Sequence, residues 1–181
     1  MRRVVLVLLA VLALTAPPPA RAMCGCPHVR TPRCANPDEK HKVILKIDLT
    51  VAADNTVEVI TQSGPYHVPV ADLDGKLVLF IFLPKGEVFQ GFLQEAIPDS
   101  IRVGTMQGAT ATIPTAAAFA PGEYEMLLFV DAVSGGGLGP QRGDLAAFDN
   151  GGCNPTGVSI RVAVGCEDTT VTLTNRHFII F

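Results

Sequence analysis

The stretch Val43-Ile44-Leu45-Lys46-Ile47-Asp48-Leu49-Thr50-Val51 decides how the rest of the chain is read. Successive side chains of an extended chain point to opposite faces. Val43, Leu45, Ile47, Leu49 and Val51 therefore share one side, and Lys46, Asp48 and Thr50 the other. That is the pattern of a β-strand with one buried face. Ala53-Asp54-Asn55 then reads as a turn, and Thr56 to Thr61 as a second strand in which Val57 and Val59 oppose Glu58 and Ile60. The two strands are expected to pair as a hairpin.

Further along, Tyr66 to Val70 is short and extended, and Asp72-Leu73-Asp74-Gly75 is a turn rather than a metal loop. Leu77 to Leu83 is apolar at every position, which suits a central strand covered on both faces. A short helix is expected over Val88 to Ala96, and brief strands over Ile101 to Val103 and Ala109 to Ile113. From Glu123 to Asp131, Tyr124, Met126, Leu128 and Val130 alternate with Glu125, Leu127 and Phe129. A glycine-rich loop spans 134–143, and Val158 to Val164, Thr169 to Thr174 and His177 to Phe181 close the pattern. Roughly eight or nine strands with turn signals between them leave little room for crossover helices. The expectation is an all-β fold, an antiparallel β-sandwich, with a small β-barrel as the alternative.

Before this region, Met1, Arg2 and Arg3 are followed by an apolar run from Val4 to Leu14 and then by Pro17, Pro18 and Pro19, the build of a secretory signal. The run falls well short of the ~20 residues a bilayer-spanning helix needs, so no transmembrane helix is expected in the mature chain. Small residues at Ala20 and Ala22 place cleavage after Ala22. The chain thus divides into a signal peptide (1–22), a Cys- and Pro-containing arm (23–40) and a sandwich domain (41–181), and is expected to be exported to a periplasm, the medium or the cell surface. A rival cleavage would leave Cys24 first and lipid-anchored. The 181 residues carry net charge −3, with 17% charged and 48% hydrophobic residues, and no basic footprint for nucleic acid.

Pro121-Gly122-Glu123-Tyr124, a strand ending at Asp131 and an acidic glycine-rich loop resemble the immunoglobulin-like and transthyretin-like modules of exported bacterial proteins, over residues 119–150. The resemblance implies a binding, adhesive or surface-associated module. Cys24-Gly25-Cys26-Pro27-His28, with Cys34 and a strand from Val43, resembles the mature start of netrin-like domains, including the tissue inhibitors of metalloproteinases. That resemblance implies a five-stranded barrel whose amino-terminal Cys24 chelates a protease's zinc.

In an exported chain Cys24, Cys26, Cys34, Cys153 and Cys166 are disulfide candidates, and an odd number leaves one over. Cys153 and Cys166 are separated by a strand that extends about 20 Å, against the ~4.4–6.8 Å a disulfide allows between Cα atoms. Bonds from the arm, through Cys26 and Cys34, to Cys153 and Cys166 are therefore favoured. The alternative use of Cys24, Cys26, His28 and Cys34 is as a soft ligand set for zinc or copper. Asp131, Asp144, Asp149 and Asn150 supply hard oxygens for calcium in and beside the glycine-rich loop, where ordinary turn chemistry also accounts for them. Arg142-Gly143-Asp144 spells an integrin tripeptide.

His28, His41, His67 and His177 are scattered, and no nucleophile elbow, zincin motif or phosphate loop is present. The favoured reading is a non-catalytic binding or structural module with no cofactor, whose partner is a protein or carbohydrate at the cell surface. A netrin-like inhibitor is the alternative. An enzyme comes third, and a pocket joining His67 or His177 to acidic groups would be its mark.

Overall fold

The computed structural model describes residues 33–61, 64–86, 96–131, 143–147 and 159–180. In chain order the elements are β1 (His41–Asp48), β2 (Thr56–Thr61), β3 (Gly64–Pro69), a single helical turn α1 (Val70–Leu73), β4 (Leu77–Pro84) and β5 (Arg102–Thr105). They continue with β6 (Thr110–Phe119), β7 (Gly122–Val130), β8 (Leu145–Ala147), β9 (Ile160–Val164), β10 (Thr169–Leu173), a 3-10 turn (Asn175–His177) and β11 (Phe178–Ile180).

The described strands form two open sheets, and neither closes into a barrel. One is three-stranded, in the order β10-β1-β6; the other is eight-stranded, in the order β3-β2-β11-β8-β7-β4-β5, with β9 also paired to β7. An all-β sandwich is thus the architecture, and the small-barrel alternative is corrected. The sheets are mixed rather than wholly antiparallel, because β10 lies parallel to β1 and β11 parallel to β2.

The decisive stretch folds as its period requires. Val43, Leu45 and Ile47 are fully buried and Leu49 nearly so, while Lys42, Lys46 and Asp48 are exposed. Val51 breaks ranks at 42% exposure, because β1 has ended and only an isolated bridge joins Val51 to Val57. The expected hairpin of β1 with β2 does not form. Both edges of β1 are taken by β6 and β10, and β2 belongs to the other sheet between β3 and β11.

The apolar run of β4 is covered on both faces. Val78, Phe80 and Phe82 enter the core between the sheets, with the Phe82 ring 4.7 Å from that of Phe119 and 6.0 Å from that of Phe80. Ile81 and Leu83 join Leu127, Phe129 and Ala146 in a second cluster on the opposite face. Each such side chain, moved fully out of water, contributes about 1.5–3 kcal/mol. Just before β5 begins, Ser100 continues the edge of β4: its hydroxyl accepts the Phe82 N–H (3.3 Å) and donates to the Phe82 carbonyl (3.2 Å), so neither peptide group of Phe82 is left unpaired.

Local chemistry fixes how the sheets cross. A bulge shifts the β1–β6 register between Lys42 and Ile44, and the Thr115 hydroxyl takes the freed Val43 N–H at 3.0 Å. Where β5 passes Ile113 of β6, a Cβ on Gly104 would stand 2.6 Å from Ile113 Cγ1, closer than real Cβ contacts come. Asn175 ties the sheets at one end, accepting the Thr50 N–H (2.7 Å) and donating to the carbonyls of Thr50 (3.1 Å) and Glu58 (3.0 Å).

A disulfide joins Cys34 to Cys166, 132 residues apart with Cα atoms 5.3 Å from each other. It clips the arm to the β9–β10 turn, one of the arm-to-sheet links expected from sequence, and in the chain-entropy account a loop of that size stabilises by about 5 kcal/mol. Cys24, Cys26 and Cys153 lie outside the described residues, as does nearly all of the expected helix over Val88 to Ala96. Among the described residues no helix is long and apolar enough to cross a membrane.

Candidate functional site

The outer face of the eight-stranded sheet, turned away from its partner sheet, carries the most unusual surface. On β4 and β7 the alternation that sends Phe80 and Leu128 inward sends Leu79, Ile81, Leu127 and Phe129 outward. The pairing register aligns these with neighbours on every strand of the path. Pro65 faces Ile60, Ile60 faces Ile179, Ile179 faces Ala146, Ala146 faces Phe129, Phe129 faces Leu79, and Leu79 faces Val103. An apolar row thus runs across β3-β2-β11-β8-β7-β4-β5 without a polar side chain in it.

The row is buried in the middle and open at both ends. Ala146 and Phe129 are buried, whereas Ile60 is 44% and Val103 49% exposed. Leu77 and Ile101, of the same parity on β4 and just before β5, are also exposed and widen the open end beside Val103. Burial of the middle explains why β4 carries no charge, but nothing in strand packing requires aliphatic side chains at the wet ends.

Along β7 the same face turns polar. Glu125 stands between Leu83 of β4 and Arg161 of β9 in the register, and its side chain is 1% exposed. One carboxylate oxygen accepts Arg161 Nε (3.2 Å) and Nη2 (3.1 Å), and the other accepts the Ser159 hydroxyl (3.2 Å). A carboxylate in so dry a position persists as an ion only with such partners. Glu123, two residues back, pairs with Lys85. The arrangement anchors β9 to β7, with the Ser159 hydroxyl donating a hydrogen bond to the Glu125 carboxylate beside the Arg161 guanidinium.

The residues singled out from sequence are dispersed. Asp131 follows β7 with its backbone N–H on the Leu77 carbonyl (2.9 Å), and Asp144, expected on an exposed turn, is buried at 3% exposure just before β8. Asp149, Asn150, Arg142 and His28 lie outside the described residues. Cys34, bonded to Cys166, offers no thiolate to a metal. Among the described residues no three His, Cys, Asp or Glu side chains converge as a metal site.

His67 and His177 sit in unrelated places. On the exposed β2–β3 hairpin the Thr56 hydroxyl donates to Asp54 (2.7 Å), so the ring Nδ1 of His67, 3.2 Å from that hydroxyl, is the donor to it. The Thr56 bonds and the nearby imidazole hold the Asp54 carboxyl below its ordinary value. His177 Nδ1 accepts the Thr174 N–H (3.0 Å), closing the 3-10 turn. Both rings are engaged in local turn structure, His67 lying beside the Asp54 carboxylate through the shared Thr56 hydroxyl.

Sequence reading missed the Glu125–Arg161 pair. The signal was a carboxylate beside Leu127 and Phe129 on one face of one strand and a lone guanidinium on another, which in a sheet find each other across neighbouring strands. Comparison of the chain with protein-family models, with curated proteins and with solved structures returns no match.

Proposed function

We propose that the chain is an exported, non-catalytic β-sandwich module that docks a protein partner at the cell surface through the β4–β5 end of its outer apolar face. The observation that carries this reading is the cluster of exposed aliphatic side chains there: Leu77 at 40%, Ile101 at 38% and Val103 at 49%. Contiguous exposed aliphatic surface is a recurrent mark of protein-binding sites, and aliphatic groups offer carbohydrate hydroxyls no hydrogen bonds.

A second observation supports the kinship with immunoglobulin-like modules. Tyr124, at the start of β7, donates its hydroxyl to the Ala120 carbonyl four residues upstream at 2.8 Å. Its ring packs 5.3 Å from Phe119. Such a tyrosine corner is a feature of those sandwiches. The signal-like residues 1–22 and the Cys34–Cys166 bond accord with export to an oxidising compartment.

The test is site-specific photo-crosslinking in the producing cell. A photoreactive residue at Val103 is expected to yield a discrete protein adduct that the same residue at Lys46, on the opposite sheet, does not. Adducts of equal intensity at both positions, or at neither, would overturn the reading. Val103→Glu is expected to remove the adduct formed from a probe at Ile101 while leaving the melting temperature unchanged.

A further inference from the structure

Open sheets expose edges, and most edges in this molecule are guarded. β3 carries Pro65 and Pro69, β6 carries Pro114, β5 is four residues long with Arg102 and Gly104, and β9 carries Arg161. Proline, charge and shortness are the usual means of preventing a second chain from adding to a sheet. β10, five residues long, has neither proline nor charge. Thr169-Thr170-Val171-Thr172-Leu173 is uncharged, free of Pro and Gly, and built of residues that favour strands. It pairs with β1 on one side, and no other described strand pairs with it.

We propose that β10 is a homodimerisation edge, pairing antiparallel with β10 of a second copy about a two-fold axis at Val171 to make a continuous six-stranded sheet. The inference is independent of the outer-face reading, since it concerns the other sheet. Its sequence is self-complementary in that register: Thr170 faces Thr172 of the second copy in two symmetric pairs, and Thr169 faces Leu173. Charge agrees with the same pairing. Glu167 and Asp168 precede β10, and Arg176 follows it, all exposed, and neither Glu167 nor Arg176 enters an ion pair among the described residues. Antiparallel pairing places the acidic end of each β10 beside the Arg176 end of the other. Parallel pairing would set like charges together. The backbone groups of the strand supply affinity and the terminal charges set direction.

The experiment is sedimentation equilibrium on the chain as isolated from cells, with disulfides intact. The expected result is a reversible dimer at micromolar concentration. Thr170→Glu with Thr172→Glu sets two pairs of like charges face to face and is expected to weaken the dimer about tenfold or more. In the monomer the added carboxylates stay exposed, and the one at 172 lies beside Lys46. Should that variant misfold, Arg176→Glu lies outside the strand; it is expected to weaken the dimer several-fold, and adding Glu167→Arg to restore it. A chain that stays monomeric at millimolar concentration, or a dimer indifferent to both sets of substitutions, would overturn the proposal.

Discussion

β1 and β4 are both eight residues long and both feed the same interior, yet one alternates and the other does not. β1 lies in the three-stranded sheet, whose outer face is wet, and it carries Lys42, Lys46 and Asp48 there at no cost. β4 lies in the wide sheet, where Ile81 and Leu83 are as dry as Phe80 and Phe82. Both strands satisfy the same backbone ladder. What differs is whether a second face must leave water, and that alone turns a period-two sequence into a continuous apolar run.

The largest expected effect breaks this comparison if it fails. Phe82→Ala is expected to cost about 3–5 kcal/mol and Ile81→Ala, on the opposite face, about 2–5 kcal/mol. Lys46→Ala on β1 is expected to stay within about 0.5 kcal/mol. Denaturant titration of the three variants measures this, and an Ile81→Ala as mild as Lys46→Ala would show that β4 is one-sided after all.

A smaller effect sharpens it at the polar end of the same face. Arg161→Ala strands the buried Glu125 carboxylate and is expected to cost about 2–3 kcal/mol, less than a fully enclosed pair because the guanidinium is partly wet. Replacing both by apolar residues, Glu125→Met with Arg161→Leu, is expected to recover most of that loss. If the double variant is the less stable, the pair contributes more than its own desolvation costs.

The smallest effect concerns the start of β7. Tyr124→Phe removes one hydrogen bond and is expected to cost about 1 kcal/mol at neutral pH. Burial pushes the Tyr124 hydroxyl above its ordinary value of 10.0. A raised folded-state value means that its stabilisation is intact below about pH 10 and is lost as pH climbs through that value, when the unfolded chain ionises first. Melts between pH 8 and 11 are expected to show the wild-type chain losing more stability than Tyr124→Phe does, so that the two curves converge.

The strands β1, β2 and β9 were legible because each has a dry face and a wetter one, and β4 and β7 because their apolar runs are too short and too punctuated for a helix. β8 was not. Leu145-Ala146-Ala147 is too brief to show a period and holds its place by burial between β7 and β11. Pairing was less legible than strands. Nearness in sequence favoured β1 with β2, while the interior required β1 to sit between β6 and β10. The candidate surface was half visible: the apolar residues could be read, but only the register aligned Ile60, Phe129 and Val103 into one row. Asp144 misled because a glycine-flanked aspartate looks like a turn residue until the adjoining strand is buried.

Both parallel pairings use late strands beside the earliest ones, β10 against β1 and β11 against β2. Most partners in this interior are therefore far apart along the chain, a high contact order that slows folding. A nascent chain emerging from the ribosome holds β1 and β2 with no parallel neighbours until residues 169–180 appear. The two parallel pairs can be completed only once both members of each have been made, so the earliest strands depend for their last neighbours on the latest ones described.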